Sequence, residues 1–296
     1  MKREESSLKS YLMLISAMLL YGTIGVFRRY IPLSSGMLAF SRGLLGSLFL
    51  WGIVCLRGRG KTERIGRRSL LLLALTGALI GANWILLFEA YNHTTVATAT
   101  MCYYMQPTLV ILLSPLVLRE RLTARRLACA GAAVAGMAFV SGVADGGGIG
   151  ARDLSGVAFG LGAAALYATV ILLNKRVQVE DAYKKTAIQL TAATVALAPY
   201  VLLTEDFAAI RLDARAAVLV LIVGIVHTGV AYAMYFGSMK RLRAQTIALL
   251  SYIDPVFALL LSAAVLHEPI TPLGLLGAAL IIGSALVGEG RRQRVK

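Results

Sequence analysis

Residues 104–123 read YMQPTLVILLSPLVLRERLT, and residues 252–271 read YIDPVFALLLSAAVLHEPIT. The second stretch begins 148 positions after the first, and Tyr, Pro, Ser, Glu and Thr stand in register in both without a gap. Apolar composition alone does not produce such a match. We therefore interpret the chain as a duplicated half.

The surrounding composition is that of an integral membrane protein. Hydrophobic residues make up 58% of the chain, against roughly 45–50% in soluble domains, and stretches of about 20 residues carry almost no charge. Cys55, Cys102 and Cys129 lie in apolar stretches without CxxC spacing, so the sequence indicates no disulfide framework, no metal site and no cofactor. The polar N-terminus has no small-residue cleavage site, so the first apolar run is expected to remain as a helix.

Ten apolar segments, separated by short polar or Gly-rich breaks, predict an all-α bundle of ten transmembrane helices. These segments are numbered as spans one to ten in chain order. The predicted spans are residues 11–28, 34–56, 69–91, 95–118, 124–142, 153–174, 186–204, 215–238, 244–266 and 272–289.

The positions of the lysines and arginines predict the orientation of the chain. If the N-terminus is cytoplasmic, 24 of the 30 basic residues fall in cytoplasmic segments and Arg42 lies within span two. The other side holds five, namely Arg28, Arg29, Arg152, Arg211 and Arg215. This asymmetry predicts that both termini are cytoplasmic in a multi-pass protein of the cell membrane. The net charge of +15 therefore indicates contact with membrane lipids and no nucleic-acid partner.

The duplication predicts two repeats of opposite orientation. Because each half carries an odd number of spans, five, the second copy enters the membrane upside down relative to the first. A weaker echo extends the match, since Tyr21-Gly-Thr23 in span one resembles Tyr167-Ala-Thr169 in span six. We predict inverted five-helix repeats at residues 1–148 and 149–296.

The strongest shared motif is a proline in spans four and nine, a Leu-x-Glu turn after each, and a Gly/Ala-rich span following. The residues that carry it are Tyr104, Gln106, Pro107, Leu118, Glu120 and Thr123 with Gly131 and Gly136, then Tyr252, Asp254, Pro255, Leu266, Glu268 and Thr271 with Gly274, Gly277 and Gly283. This pattern resembles the EamA group of the drug/metabolite transporter superfamily over essentially the whole chain. The resemblance implies movement of small polar metabolites or amphipathic compounds by alternating access.

Interrupted helices near the bilayer midplane predict where a solute would bind. Repeat-built transporters place the solute between the halves, where broken helices leave backbone groups available. Pro107 and Pro255 each lack a backbone donor and release a carbonyl about one turn earlier. Each proline alone is compatible with a simple packing kink, but their matching depth makes a binding cavity an equal alternative.

Four ionisable residues lie inside the predicted spans, where charge is expensive unless it is paired or hydrated. Asp254 is the first candidate for proton coupling, and its alternative role is to link two helices. His227 is a candidate proton relay or a hydrogen-bonded core group. Arg42 and Glu89 lie at similar predicted depth, so they are expected either to pair with each other or to extend separately to the outer interface.

Aromatic residues within the spans give the expected cavity an amphipathic character. If Tyr21, Trp84, Tyr103, Tyr104, Tyr167, Tyr232, Tyr235 and Tyr252 converge, they form a cage suited to aromatic or cationic solutes. Helix packing is the alternative for any single one. The candidate substrate-binding residues are Tyr21, Trp84, Tyr104, Gln106, Tyr167, Tyr232, Tyr252 and Asp254.

The sequence predicts a secondary transporter and not an enzyme. It contains no HExxH, GxSxG or GxxxxGK[ST] motif and no paired aspartates, which a membrane hydrolase or transferase would need. The expected cargo is a small metabolite, such as an amino acid, an organic cation or a similar amphipathic solute, and the expected direction is export. Proton exchange and uncoupled facilitated diffusion both remain open. The alternative is a channel-like facilitator or a lipid scramblase, and the sequence does not specify an oligomeric state.

Overall fold

The protein is a bundle of helices, with no strand among the residues that the computed structural model describes, which are 2–57, 65–118, 123–140, 150–208, 210–239, 242 and 250–289. The helices are α1 Lys2–Arg29, α2 Ser35–Leu56, α3 Arg67–His93, α4 Val96–Tyr103, α5 Gln106–Leu118, α6 Ala124–Val140, α7 Ala151–Asn174, α8 Ala182–Thr204, α9 Ala214–Leu221, α10 Ala231–Met239, α11 Ile253–Leu266 and α12 Pro272–Glu289. Residues Ile222–Val230, between α9 and α10, form a π-helix that we call the π segment.

The described helices are those of a multi-pass membrane protein. Seven helical stretches are long and apolar enough to cross a bilayer, at Leu8–Arg29, Ser35–Leu56, Arg67–His93, Val96–Leu113, Arg152–Asn174, Ala182–Thr204 and Ala214–Ser238. Three shorter apolar helices follow the same pattern, at Leu127–Val140, Ile253–Leu266 and Pro272–Val287. The all-α class is confirmed, and the count of ten transmembrane helices stays a prediction.

Spans four and nine are both interrupted, at the positions of the repeated motif. In span four, a turn at Tyr104–Met105 separates α4 from α5, and Pro107 is the second residue of α5. In span nine, a turn at Tyr252 precedes α11, and Pro255 is its third residue. Proline is tolerated in the first turn of a helix because the donors there have no intrahelical partner. The prolines therefore begin new helical segments and do not merely bend continuous ones.

Span eight contains a feature that hydrophobic periodicity did not predict. The π segment closes hydrogen bonds five residues back instead of four, which widens the helix and is frequent at functional sites. The side chain of Thr228 follows the same spacing, since its hydroxyl donates to the Val223 carbonyl at 3.0 Å. The wide turn directs both His227 and Thr228 into the bundle, where they are buried.

The most extensive helix contacts join the first half of the chain to the second half. Helix α1 packs on α10 and α11, and α7 packs on α3, α4 and α5. Helix α2 packs on the π segment and α8, α3 packs on α8, and α6 packs on α12. These contacts repeat when each span is replaced by the span five places further along or back. Span one packs on spans nine and eight, and span six correspondingly packs on spans four and three. Span two packs on span eight, and span seven correspondingly packs on span three.

Helix α1 lies directly against the interruption in span nine. A Cβ atom at Gly22 would lie 2.8 Å from the backbone oxygen of Asp254. A Cβ atom at Gly25 would lie 2.4 Å from a methyl group of Val96, at the start of α4. The two glycines thus let one helix pass between the first residues of α11 and of α4.

Candidate functional site

The two interruptions meet in the middle of the bundle. The hydroxyl of Tyr104, at the end of α4, donates to Asp254 Oδ2 in the first turn of α11, at 2.6 Å. The same hydroxyl lies 3.5 Å from the Ser251 carbonyl, four residues before Pro255, which has no N–H to bond it. The rings of Tyr104 and Tyr252 are 6.4 Å apart. The repeated motif of one half is thus hydrogen-bonded to that of the other.

Tyrosines from five spans gather beside this contact. We call Tyr21, Tyr103, Tyr104, Tyr167, Tyr232, Tyr235 and Tyr252 the tyrosine cluster. Ring centroids lie 5.7 Å apart for Tyr21 and Tyr232, and 5.8 Å apart for Tyr103 and Tyr167. Tyr232 and Tyr235 are in turn near Tyr167. Edge-to-face and tilted contacts of this kind add to the packing free energy.

Four members of the tyrosine cluster are only partly buried. Tyr21, Tyr103, Tyr167 and Tyr232 pack on other aromatic rings of the bundle, yet each retains accessible surface. Phenol rings are apolar over most of their area and polar at the hydroxyls. These side chains are therefore suited to contact an amphipathic solute.

Arg42 differs from both of the arrangements expected from the sequence. Its side chain is 4% exposed and does not extend to an interface. Its guanidinium carbon lies 4.2 Å from the ring centroid of Trp84 and 5.5 Å from that of Phe88. Its Nε donates to Thr228 Oγ1 at 3.1 Å. The predicted ion pair with Glu89 is wrong, since no described residue forms a salt bridge with Arg42.

Glu89 faces another direction because of its position on α3. Trp84 and Phe88 are four residues apart and share the face that contacts Arg42, whereas Glu89 is rotated about 100° from Phe88. Its Oε2 lies 3.6 Å from Nδ1 of His93 and 3.5 Å from the amide nitrogen of Asn92. Glu89 is therefore separate from the tyrosine cluster.

Several polar atoms of the cluster region lack a partner among the described residues. Tyr21 Oη and Gln106 Oε1 are fully enclosed without a hydrogen bond. Arg42 Nη1 and Nη2 and Asp254 Oδ1 also have none, but these atoms are not enclosed and retain accessible surface. Buried polar groups are rarely left unpaired, so this concentration indicates a place where a ligand or water completes the bonding.

His227 is a buried hydrogen-bonded group in this structure. It is 1% exposed, its Nε2 lies 2.6 Å from Thr23 Oγ1, and its Nδ1 lies 3.3 Å from the Ile222 carbonyl oxygen. Its ring also packs on Phe27, with centroids 4.8 Å apart. Both ring nitrogens have partners, which favours the core role over the relay role.

A second polar cluster ties the two halves together at one end of the bundle. We call Arg29, Thr94, Val96, Ser262 and Glu268 the Glu268 cluster. Glu268 Oε1 accepts from Arg29 at 3.0 Å, and Oε2 accepts from the Val96 backbone N–H at 2.8 Å and from the Ser262 hydroxyl. Arg29 also donates to the Thr94 carbonyl at 2.6 Å. The carboxylate thus satisfies an unpaired donor at the first residue of α4, where negative charge is favoured.

Comparison with known proteins gives this arrangement a family. The sequence profile of the EamA-like transporter family matches residues 8–142 and again residues 154–287. The chain belongs to the EamA-like transporter family. It is therefore a multi-pass membrane transporter, and the family's members are transporters and not enzymes.

EamA relatives cover most of the chain. An uncharacterized transporter, YxxF of Bacillus subtilis, is 29% identical over 84% of this chain and 79% of its own length. An uncharacterized transporter of Archaeoglobus fulgidus is 28% identical over 93% and 94%. A probable terminal-alkyne amino-acid exporter of Streptantibioticus cattleyicolor is 28% identical over 92% and 87%. A solved crystal structure shares the fold with a TM-score of 0.66 at 22% identity, covering 94% of this chain and 97% of that one.

The EamA motif predicted some of the site and missed other parts. Tyr104, Tyr252 and Asp254 come together with Tyr21, Tyr167 and Tyr232, while Trp84 lies beneath Arg42. Glu120 lies outside the described residues. The sequence did not single out Thr228, which holds Arg42, or Tyr91, which lies near both Arg42 and Asp254. No group of three His, Cys, Asp or Glu residues suited to a metal occurs in the described part of the chain.

Proposed function

We propose that this EamA transporter exports a small amphipathic metabolite across the cell membrane by alternating access, with an amino acid or an organic cation as cargo. The hydrogen bond between Tyr104 and Asp254 carries this proposal. It joins the interrupted spans of the two halves, and repeat-built transporters bind their solutes between the halves at such interruptions. A relative named as a probable amino-acid exporter supports the direction and the class of cargo.

We propose that residues 1–148 and 149–296 form inverted five-helix repeats within ten transmembrane helices. The family profile matches once in each half. The helix contacts repeat when five spans are added to each partner, which is the expected result of a two-fold relation between halves. The lysine and arginine distribution supports a cytoplasmic location for both termini.

Alternating access is supported by the Glu268 cluster. The predicted topology puts Arg29, Thr94 and Glu268 at the outer end of the bundle. Their contacts link α1 and α4 of the first half to the end of α11 of the second half. Closure of the outer end by breakable polar contacts fits a carrier better than a continuously open channel.

The proposed solute contacts are Tyr21, Tyr104, Gln106, Tyr167, Tyr232, Tyr252 and Asp254, and Trp84 acts by supporting Arg42. Pro107 and Pro255 keep the two spans interrupted. Asp254 is the proposed proton-coupling group, because its carboxyl lies at the interruption of span nine and is hydrogen-bonded to Tyr104 of the other half. Glu89 and His227 are the weaker coupling candidates, and uncoupled facilitated diffusion is the alternative mechanism.

Reconstituted liposomes test the proposal. Purified protein is screened for thermal stabilisation by amino acids, nucleosides, organic cations and sugars, and each hit is assayed for flux with and without a pH gradient. When liposomes are loaded with unlabelled solute and placed in labelled solute, a carrier will transiently accumulate the labelled solute inside. This happens because outward and inward transport use the same binding site. A channel-like facilitator will equilibrate solute without this counterflow, and a scramblase will move fluorescent lipid instead. Either of those results would refute alternating access.

A further inference from the structure

Arg42 is a buried cation without an anionic partner among the described residues. Arginine does not lose its proton in proteins, so its charge persists inside the membrane, where insertion of arginine costs roughly 2.5–3.5 kcal/mol. The faces of Trp84 and Phe88 compensate part of that cost through cation–π contact. Full compensation requires an anion.

We propose that Arg42 binds the carboxylate of the transported solute, an inference that rests on the proposed transport function. The solute is thus an amino acid or another small carboxylate. An organic cation, which the aromatic cage alone would also suit, is disfavoured by a fixed positive charge in the wall.

The guanidinium is held in an orientation that leaves its binding edge available. Thr228 accepts from Nε, and Thr228 is itself fixed by its bond to the Val223 carbonyl in the π segment. Trp84 and Phe88 lie against the guanidinium at 4.2 Å and 5.5 Å. Nη1 and Nη2 remain without a described partner and retain accessible surface. Two parallel N–H groups of this kind match the two oxygens of a carboxylate.

The surroundings of Arg42 select a carboxylate that carries an apolar body. Tyr21, Tyr103 and Tyr232 of the tyrosine cluster lie close enough to Arg42 to interact with it electrostatically. Their rings would contact the apolar part of a solute whose carboxylate is on Arg42. Tyr91 lies near both Arg42 and Asp254, so the carboxyl of Asp254, whose Oδ1 has no described partner, is in the same region of the bundle as the guanidinium. An amino acid would place its ammonium group toward that oxygen.

The chain provides its own optical probe for this site. Its two tryptophans are Trp51 and Trp84, and Trp84 is the one that contacts Arg42. In a Trp51→Phe background, the fluorescence of Trp84 reports occupancy of the guanidinium. Two matched series serve as probes: phenylalanine, 3-phenylpropionate and phenethylamine, and leucine, 4-methylpentanoate and isopentylamine.

We expect the amino acid, the carboxylate or both to change Trp84 fluorescence in at least one series, and the amine to have no effect. Response to both acids means that the carboxylate suffices, and response to the amino acid alone means that the ammonium group is also recognised. Arg42→Gln should weaken binding by roughly 10- to 100-fold, the loss expected for hydrogen bonds to a charged group. Arg57→Gln, an exposed arginine just after the same helix, should leave binding unchanged.

Two further variants keep the test decisive if Arg42→Gln does not fold. Arg42→Lys keeps the charge but not the forked edge, and Thr228→Val removes only the anchor, so both should weaken binding of the acids. Unchanged affinity in these variants, or equal binding of the amines, would overturn the inference. Counterflow of a solute without a carboxylate would also overturn it while leaving the transport function standing. Absence of counterflow for every solute in the screen would instead refute the transport function.

Discussion

The interruptions in spans four and nine share a backbone and differ in chemistry. Both follow a tyrosine, and both place proline in the first turn of the next helix, at Pro107 and Pro255. Between tyrosine and proline, the first copy has the neutral amide of Gln106 and the second has the carboxyl of Asp254. Duplication has thus kept the geometry of the break and changed its charge. Only the second copy can exchange a proton or neutralise a cationic group with a negative charge.

Replacement of Asp254 by asparagine should have the largest effect on transport, because it removes the difference in charge between the two interruptions. If protons drive transport through Asp254, the Asp254→Asn variant loses all dependence on an imposed pH gradient while solute exchange remains. The measurement is flux into liposomes with and without the gradient. The control is Gln106→Asn, at the equivalent position of the first copy. It should keep the dependence on the pH gradient. Unchanged pH dependence in Asp254→Asn would remove this residue from coupling.

Removal of the Tyr104 hydroxyl should separate the two interruptions. Tyr104→Phe keeps the ring but deletes the donor to Asp254, and a hydrogen bond to a charged group contributes about 1.5–3 kcal/mol. We expect a lower unfolding temperature and slower exchange. Tyr103→Phe is the matched control, since its ring packs on Tyr104 and Tyr167 but no described hydrogen bond uses its hydroxyl. Equal effects of the two variants would contradict a special role for the Tyr104 contact.

Helices α1 and α7, which pack on the interruptions of spans nine and four, should respond differently when one methyl group is added or removed. Gly22→Ala places a Cβ against the Asp254 carbonyl, and overpacking of this kind costs about 1–3 kcal/mol. The corresponding residue in span six is Ala168, which already carries that methyl group and is buried. Ala168→Gly should cost about 1 kcal/mol or more, through lost helix propensity and the lost methyl. Unfolding in detergent measures both, and loss of exchange in Gly22→Ala alone would locate the tighter approach at span nine.

Opposite ends of the bundle should open in the paired glutamate variants. Glu268→Gln weakens the pairing with Arg29, and partly exposed ion pairs contribute up to about 1 kcal/mol, or roughly five-fold in population. In a cysteine-free background, labelling of Ala97→Cys by an impermeant maleimide should therefore increase. Glu120→Gln, at the equivalent position of the first repeat, should decrease it. A shift in the same direction for both would contradict inverted repeats.

The sequence predicted the apolar spans and singled out Tyr104 and Asp254 at the breaks because these depend on local composition, but it did not predict the hydrogen bond between the two residues. Hydrophobic length determines where a helix crosses the membrane. Tyr and Pro stand three positions apart in both copies, with Gln106 between them in the first and Asp254 in the second. The surroundings of Arg42 were not predicted because its partners come from two other spans, three and eight. Its stack on Trp84 and Phe88, and its bond to Thr228, depend on how α2, α3 and the π segment are rotated against each other. The rotation of one helix relative to a distant helix cannot be predicted from any single stretch of sequence.

The Glu268 cluster also has a consequence for synthesis of the protein. The carboxylate that accepts from the Val96 backbone N–H is 172 residues further along the chain and is therefore synthesised later. At about 5–20 residues per second, that interval is roughly 10–30 s. During this time the Val96 N–H and Arg29 lack their partner Glu268, and most of the helices that pack on the first half have not been made. Because the most extensive helix contacts join the first half of the chain to the second, the first half cannot complete its native contacts until the second half has been synthesised.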